Sequence, residues 1–181
     1  MIIQILKYPV FICMVMLYIQ CSSSTAEHKQ TVANQVKYQC MPCGQDCDNE
    51  VYNAPGTCRH CGMQLVDRAT VNFKTIQPAE LCKYIRDHPA VVLLDVRTKE
   101  EFEGKADPDF GTLKNAINIP VQVLANRLSE LNAYKKKEII VYCSHSHRSP
   151  RASYLLTQNR FSNVINMAGG MSVLKDNACR K

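Results

Sequence analysis

The sequence predicts an α/β fold, a parallel sheet with helices on both faces, preceded by a small metal-stapled, cysteine-rich module. Three observations predict it. Apolar runs of four residues, Val91-Val92-Leu93-Leu94 and Ile139-Ile140-Val141-Tyr142, end abruptly at Asp95 and Cys143, as strands buried on both faces do. Stretches with apolar residues at helical spacing alternate with them. Five of the ten cysteines crowd between Cys40 and Cys61, in a segment too small to bury a core of its own.

In chain order, Lys7 precedes an apolar run from Tyr8 to Ile19, and the polar stretch Cys21-Ser22-Ser23-Ser24-Thr25 follows it. Such a run is short for a bilayer span and fits the apolar centre of an export signal, assigned to residues 1–26. Ser24-Thr25-Ala26 offers a small-residue cleavage site. Cys21 followed by serines is a candidate for the lipid-modified first residue of a lipoprotein, and an uncleaved membrane anchor is a third reading. Each reading puts the rest of the chain outside the cytoplasm, in a bacterial periplasm or at the outer surface, with lipid at Cys21 as a membrane tether. Residues 27–37 are polar, lack an apolar period and are expected to be a linker.

Residues 38–68 carry two Cys-x2-Cys pairs, Cys40/Cys43 and Cys58/Cys61, with fourteen residues between them. Tetrahedral zinc takes four thiolate or imidazole ligands, and short Cys-x2-Cys turns present two sulfurs to one ion. Gly44 and Gly62 follow the second cysteine of each pair, where a tight turn needs backbone freedom, and Pro55-Gly56 supplies the reversal. Cys40, Cys43, Cys58 and Cys61 are therefore expected to hold zinc or another thiophilic ion as a structural staple. Two disulfides are the alternative in an oxidising compartment. Cys47 is expected to be a spare thiol or a substitute ligand, and His60 is a further substitute. The segment also resembles short heavy-metal-binding, zinc-ribbon-like modules at Tyr38, Cys40, Pro55, Gly56, Cys58, Cys61, Gly62, Met63 and Leu65.

Residues 71–178 are expected to form the α/β domain. Val71 to Ile76, Ile117-Asn118-Ile119 and Val164-Ile165-Asn166 are further strand candidates. Pro78 to Asp87 places Leu81, Tyr84 and Ile85 on one helical face. Val121 to Leu131 does so with Val121, Leu124, Leu128 and Leu131, and Pro150 to Gln158 with Ala152, Leu155 and Leu156. Cys82, on the first of these helices, is expected to be a packing residue. Ligands of such sheets bind beyond the carboxyl ends of the strands, and Cys143 stands at one of those ends.

The segment Cys143-Ser144-His145-Ser146-His147-Arg148 joins that strand to a helix. Its backbone amides can converge on an anion, the helix N-terminus adds partial positive charge, and Arg148 adds a full one. Together these favour the thiolate, the reactive form of cysteine. His145 and His147 can add charge below neutral pH or donate hydrogen bonds. Ser146 stands where the loop has to turn without the freedom of glycine.

The net charge of +6 is scattered, with Lys135-Lys136-Lys137 the single run, and tryptophan is absent. A nucleic-acid partner is not expected.

Around the same loop, residues from Val71 to Lys175 resemble a single rhodanese (sulfurtransferase) domain. The resemblance is carried by Leu94-Asp95-Val96-Arg97 with Glu100-Glu101-Phe102, by Gly111 through Pro120, by Val141 through Ser149 with Ala152, and by Ala168-Gly169-Gly170. It implies a rhodanese-like sheet in which Cys143 is nucleophile and sulfur carrier. The amides from Ser144 to Arg148 would cradle a persulfide or the donor's oxyanion, and Arg148 would help to hold it. Asp95 and Arg97 would be structural, and no cofactor would be required for catalysis. The substrate would be a small sulfur-containing anion or a thiol. Only four residues separate Cys143 from Arg148, whereas related phosphatases and arsenate reductases use five, so sulfur is favoured over phosphate. The alternative is an exported metal-handling protein with a non-catalytic rhodanese-like domain.

Overall fold

The computed structural model describes residues 35–181. The expected export signal, Cys21 and most of the expected linker lie outside the described residues. Two short strands, β1 (Tyr38–Gln39) and β2 (Val66–Asp67), pair antiparallel and close the cysteine-rich module at its ends.

Five further strands follow: β3 (Lys74–Ile76), β4 (Val92–Asp95), β5 (Ile117–Asn118), β6 (Glu138–Tyr142) and β7 (Asn163–Met167). They form one sheet in the order β3-β7-β6-β4-β5, and every pairing is parallel. The central strand β6 shows why the fold is two-sided. Its side chains alternate between faces, so Ile139 and Val141 join one buried cluster while Ile140 and Tyr142 join another.

Helix α1 (Pro78–Asp87) covers the second face, where Leu81 and Cys82 pack with Leu93, Ile140, Ile165 and Met167. Helices α3 (Val121–Arg127) and α4 (Arg148–Gln158) supply Leu124, Ala152 and Leu156 to the first. A short helix α2 (Lys99–Phe102) follows β4. Parallel strands with helices on both faces are the architecture that the apolar runs predict.

Three departures from expectation have physical causes. The helix expected to reach Leu131 ends as α-helix at Arg127 and continues as a 3-10 helix over Leu128–Tyr134. Leu128, Leu131 and Tyr134 are three apart, the spacing that lines up on one side of a 3-10 helix, and all three contact the core. The expected strand from Val71 shortens to the three residues of β3 at the sheet edge. Cys82 is more than a packing residue: it forms a disulfide with Cys179, 97 residues away, which ties the C-terminal tail to α1.

The module is folded onto the rim of the sheet. Asn166 Nδ2, near the end of β7, donates to Pro42 O at 3.0 Å, and Gly169 N donates to Cys43 O at 3.4 Å. Gly44 (φ +87°) lies so close that an added β-carbon would sit 2.5 Å from Ala168 Cβ. Among the described residues no helix is long and apolar enough to cross a membrane.

Candidate active site and metal centre

The carboxyl end of β6 delivers Cys143 to the sheet rim, and the chain turns through Ser144–His147 before α4 begins at Arg148. The first N–H groups of a helix have no intrahelical partner. One of them, on Ser149, donates to Cys143 Sγ at 3.4 Å, and Ser149 Oγ lies 3.4 Å from the same sulfur. The thiol therefore sits where the helix N-terminus favours negative charge. Pro150, in the first turn, has no N–H to leave unpaired.

The loop makes its turn at Ser146, which adopts φ +58°. Its hydroxyl donates to Met167 O at 3.4 Å. Behind the loop, the backbones of Met171 and Ser172 donate to the carbonyls of Cys143 and Ser144 at 2.8 and 3.0 Å. Gly170 (φ +73°) makes this approach feasible. A β-carbon there would fall 2.6 Å from Cys143 O and closer still to Ser144 O.

From the sequence, Arg148 is expected to face a bound anion. In the structure its guanidinium is engaged by Glu101, Nη1 with Oε2 at 2.6 Å and Nη2 with Oε1 at 2.7 Å. Ser144 Oγ donates to Glu101 Oε1 at 2.7 Å and accepts from Arg148 Nη2 at 2.9 Å. Arg148 is thus a brace that holds both ends of the loop. The Arg148 guanidinium, against the cost of burial, holds the Glu101 carboxyl down at about 2. Glu101 also completes a capping box on α2, accepting from Thr98 N at 2.9 Å. In the sequence Glu101 stands out only as part of the Glu100-Glu101-Phe102 motif. The visible signal was Thr98-x-x-Glu101; its partner stands 47 residues away.

Asp95 and Arg97 form a fully buried ion pair, Nη2 to Oδ2 at 2.7 Å, with Arg97 N also donating to Asp95 Oδ1 at 2.9 Å. It fixes the end of β4 beside the Cys143 loop. His145 and His147 are exposed; His145 packs edge-on against Phe110, with ring centres 5.3 Å apart. His145, Ser146 and His147 form one side of a groove of about 430 Å³, and Cys43, Cys47 and Cys61 line the other. The cysteine-rich module and the Cys143 loop therefore open onto the same groove.

In the module, the sulfurs of Cys40, Cys47, Cys58 and Cys61 lie within 4.8 Å of one another, three of the residues buried and Cys61 partly exposed. The spacing leads one to expect Cys43 in this set; the structure puts Cys47 there instead. After Cys43 the chain turns at Gly44, and a 3-10 turn over Asp46–Asn49 brings Cys47 inward. Cys43 Sγ is drawn toward Asp48 Oδ1, 3.4 Å away, and lies 3.8 Å from Cys47 Sγ.

Burial opposes ionisation of Cys58, but the amides of Cys61 and His60 and the neighbouring thiols bring it down to about 6. Burial and then Cys61 push Cys40 well up, and burial and then Cys43 push up Cys47. Four sulfurs gathered this closely are a donor set that a thiophilic cation would complete by displacing protons. The four sulfurs fit a metal ion.

Residues 77–177 match the family model of the rhodanese-like domain. Among curated proteins, the chain is 29% identical over 96 residues to a sulfurtransferase of Allochromatium vinosum, covering 53% of this chain and 82% of that protein. It is 30% identical over 115 residues to a tRNA uridine(34) hydroxylase of Cytophaga hutchinsonii, covering 62% of this chain but only 35% of that protein's length. A crystal structure of a protein from Staphylococcus saprophyticus superposes with a TM-score of 0.50 at 27% identity, over 60% of this chain and all of that one. With its sheet order, its cysteine loop at the end of β6 and more than half its length matching, the chain belongs to the rhodanese-like domain family.

Proposed function

We propose that the protein is a sulfurtransferase in which Cys143 carries sulfane sulfur as a persulfide. The Cys143 thiolate attacks the outer sulfur of thiosulfate or of a persulfide donor, and sulfite or a thiolate leaves with the bonding electrons. An incoming thiolate or cyanide then attacks the outer sulfur of the persulfide, and the Cys143 thiolate is the leaving group. The cycle needs no cofactor. The observation that carries this reading is the Ser149 N–H aimed at Cys143 Sγ from the first turn of α4, inside a loop whose four intervening residues leave a narrow cradle. The amides from Ser144 to Arg148 would receive the terminal sulfur or the donor's oxyanion. Arg148 acts as a positioning residue through Glu101.

The four-sulfur set of the module holds zinc or another thiophilic ion as a structural staple. Export to a bacterial periplasm or outer surface, with lipid at Cys21 as a tether, is supported by the apolar run before Cys21. It is also supported by the Cys82–Cys179 disulfide, since such bonds persist in oxidising compartments.

The test is to expose the purified protein to thiosulfate or a small persulfide and weigh it intact. A gain of one sulfur atom that is localised to Cys143, discharged by cyanide or a thiol, and absent from Cys143→Ser supports the reading. Full transfer activity in Cys143→Ser would overturn it in favour of a metal-handling protein with a non-catalytic domain.

A further inference from the structure

The module contains five cysteines, and the four-sulfur set uses four. The fifth, Cys43, is buried and faces two other donors. Its sulfur lies 3.8 Å from Cys47 Sγ and 3.4 Å from Asp48 Oδ1. The donor atoms of Cys43, Cys47 and Asp48 fall within 4.8 Å of one another, and Cys47 belongs to both groups. A tetrahedral ion with bonds of about 2.3 Å to sulfur and about 2.0 Å to oxygen needs S···S edges of about 3.8 Å and S···O edges of about 3.5 Å. The two separations made by Cys43 already have those lengths.

We propose that Cys43, Cys47 and Asp48 form a second, open site for a thiophilic divalent ion, with the Cys47 sulfur bridging it to the ion of the four-sulfur set. Asp48 also caps its turn: Oδ1 and Oδ2 accept from Cys43 N at 2.9 and 3.0 Å, and Oδ2 accepts from Gly44 N at 2.7 Å. Those amides hold the carboxylate in place; Oδ2 takes two of the bonds, and Oδ1, which takes one, keeps a lone pair for the ion. The Cys43 thiol aims its proton at Oδ1, where a cation would replace it. Three protein donors leave the fourth position free, as in open zinc sites. Cys43 and Cys47 line the groove whose far side is His145, Ser146 and His147. The fourth ligand is therefore water from that groove, or a small thiol displacing it, bound as thiolate beside the sulfur-carrying loop.

The proposal rests on the reading of the four-sulfur set as a metal site, and the two fail separately. The full chain, stripped of metal, is titrated with cadmium, and bound ions are counted by non-denaturing mass spectrometry together with thiolate-to-metal absorbance. The wild type is expected to bind two ions per chain and Cys43→Ser one. Asp48→Asn can keep the two bonds made by Oδ2 but replaces the Oδ1 donor atom and loses the charge; it is expected to weaken the second ion at least about tenfold while leaving the first. A single ion in the wild type, released by Cys40→Ser and untouched by Cys43→Ser, would overturn the second site alone. No bound ion would overturn both sites, and two ions retained by both Cys43→Ser and Asp48→Asn would also reject this one.

Discussion

Glu101 and Arg148 form a two-pronged ion pair, 2.6 and 2.7 Å, that fastens the first turn of α4 to the short helix after β4. The Glu101 side chain is 7% exposed and that of Arg148 26%. Removing one charge strands the other in a partly dry setting. Glu101→Gln is expected to cost about 1–3 kcal/mol in urea denaturation and to lower the rate of sulfur transfer, because Arg148 loses its counter-charge and one of the two oxygens shared by Ser144, Arg148 and Thr98 becomes an N–H donor. Unchanged turnover in Glu101→Gln would show that the brace is dispensable.

The same pair gives acid sensitivity with a definite sign. Arg148 holds Glu101 down at about 2, below the ordinary glutamate value of 4.5. A depressed carboxyl contributes stability that is complete above about pH 4.5 and lost as pH falls toward 2. The contribution is on the order of 3 kcal/mol at most. Unfolding free energies of wild type and Glu101→Gln, measured from pH 5 to 2.5, are expected to converge at the acid end. A gap that stays constant would refute the linkage.

Gly170 is predicted to tolerate no side chain. A β-carbon there would strike the backbone carbonyls of Cys143 and Ser144, and the residue holds φ +73°. Neither obstacle can rotate away. Gly170→Ala is expected to lose at least about 2 kcal/mol of stability and to displace the Cys143 loop, visible as slowed persulfide formation.

Ser146 presents the opposite case, since it holds φ +58° without being glycine. Ser146→Gly relieves that conformation at the expense of its weak bond to Met167 O. The variant is expected to range from neutral to about 1 kcal/mol more stable. A loss above 1 kcal/mol would mean that the hydroxyl matters more than the backbone.

The Cys82–Cys179 disulfide closes a loop of 97 residues. A cross-link over that separation contributes about 2–4 kcal/mol. Thermal unfolding of wild type is expected to shift downward on adding reductant, whereas Cys82→Ala/Cys179→Ala begins low and does not respond. Equal midpoints would argue against the bond.

How much was legible depended on the range of the interaction. Ile139 to Tyr142 and Val91 to Leu94 announce buried strands because every residue in the run is apolar, and Cys143 is placed by the strand before it. The partners of Cys82 and Arg148 were not legible, because a helix stripe or a loop reads the same whether or not a distant Cys179 or Glu101 meets it. The exchange of Cys43 for Cys47 has an intermediate cause. Cys-x2-Cys spacing predicts which sulfurs can share an ion, but the turn at Gly44 and the pull of Asp48 decide which do.

The contact between Gly44 and Ala168 has a consequence for how this architecture can be rebuilt. A cysteine module grafted from another protein would need a residue without a β-carbon at position 44 before it could seat. Excising the module should uncover Ala168 and leave Asn166 without the Pro42 carbonyl. The two halves are thus expected to travel through evolution as a matched pair, with glycine kept at 44 wherever the module is kept.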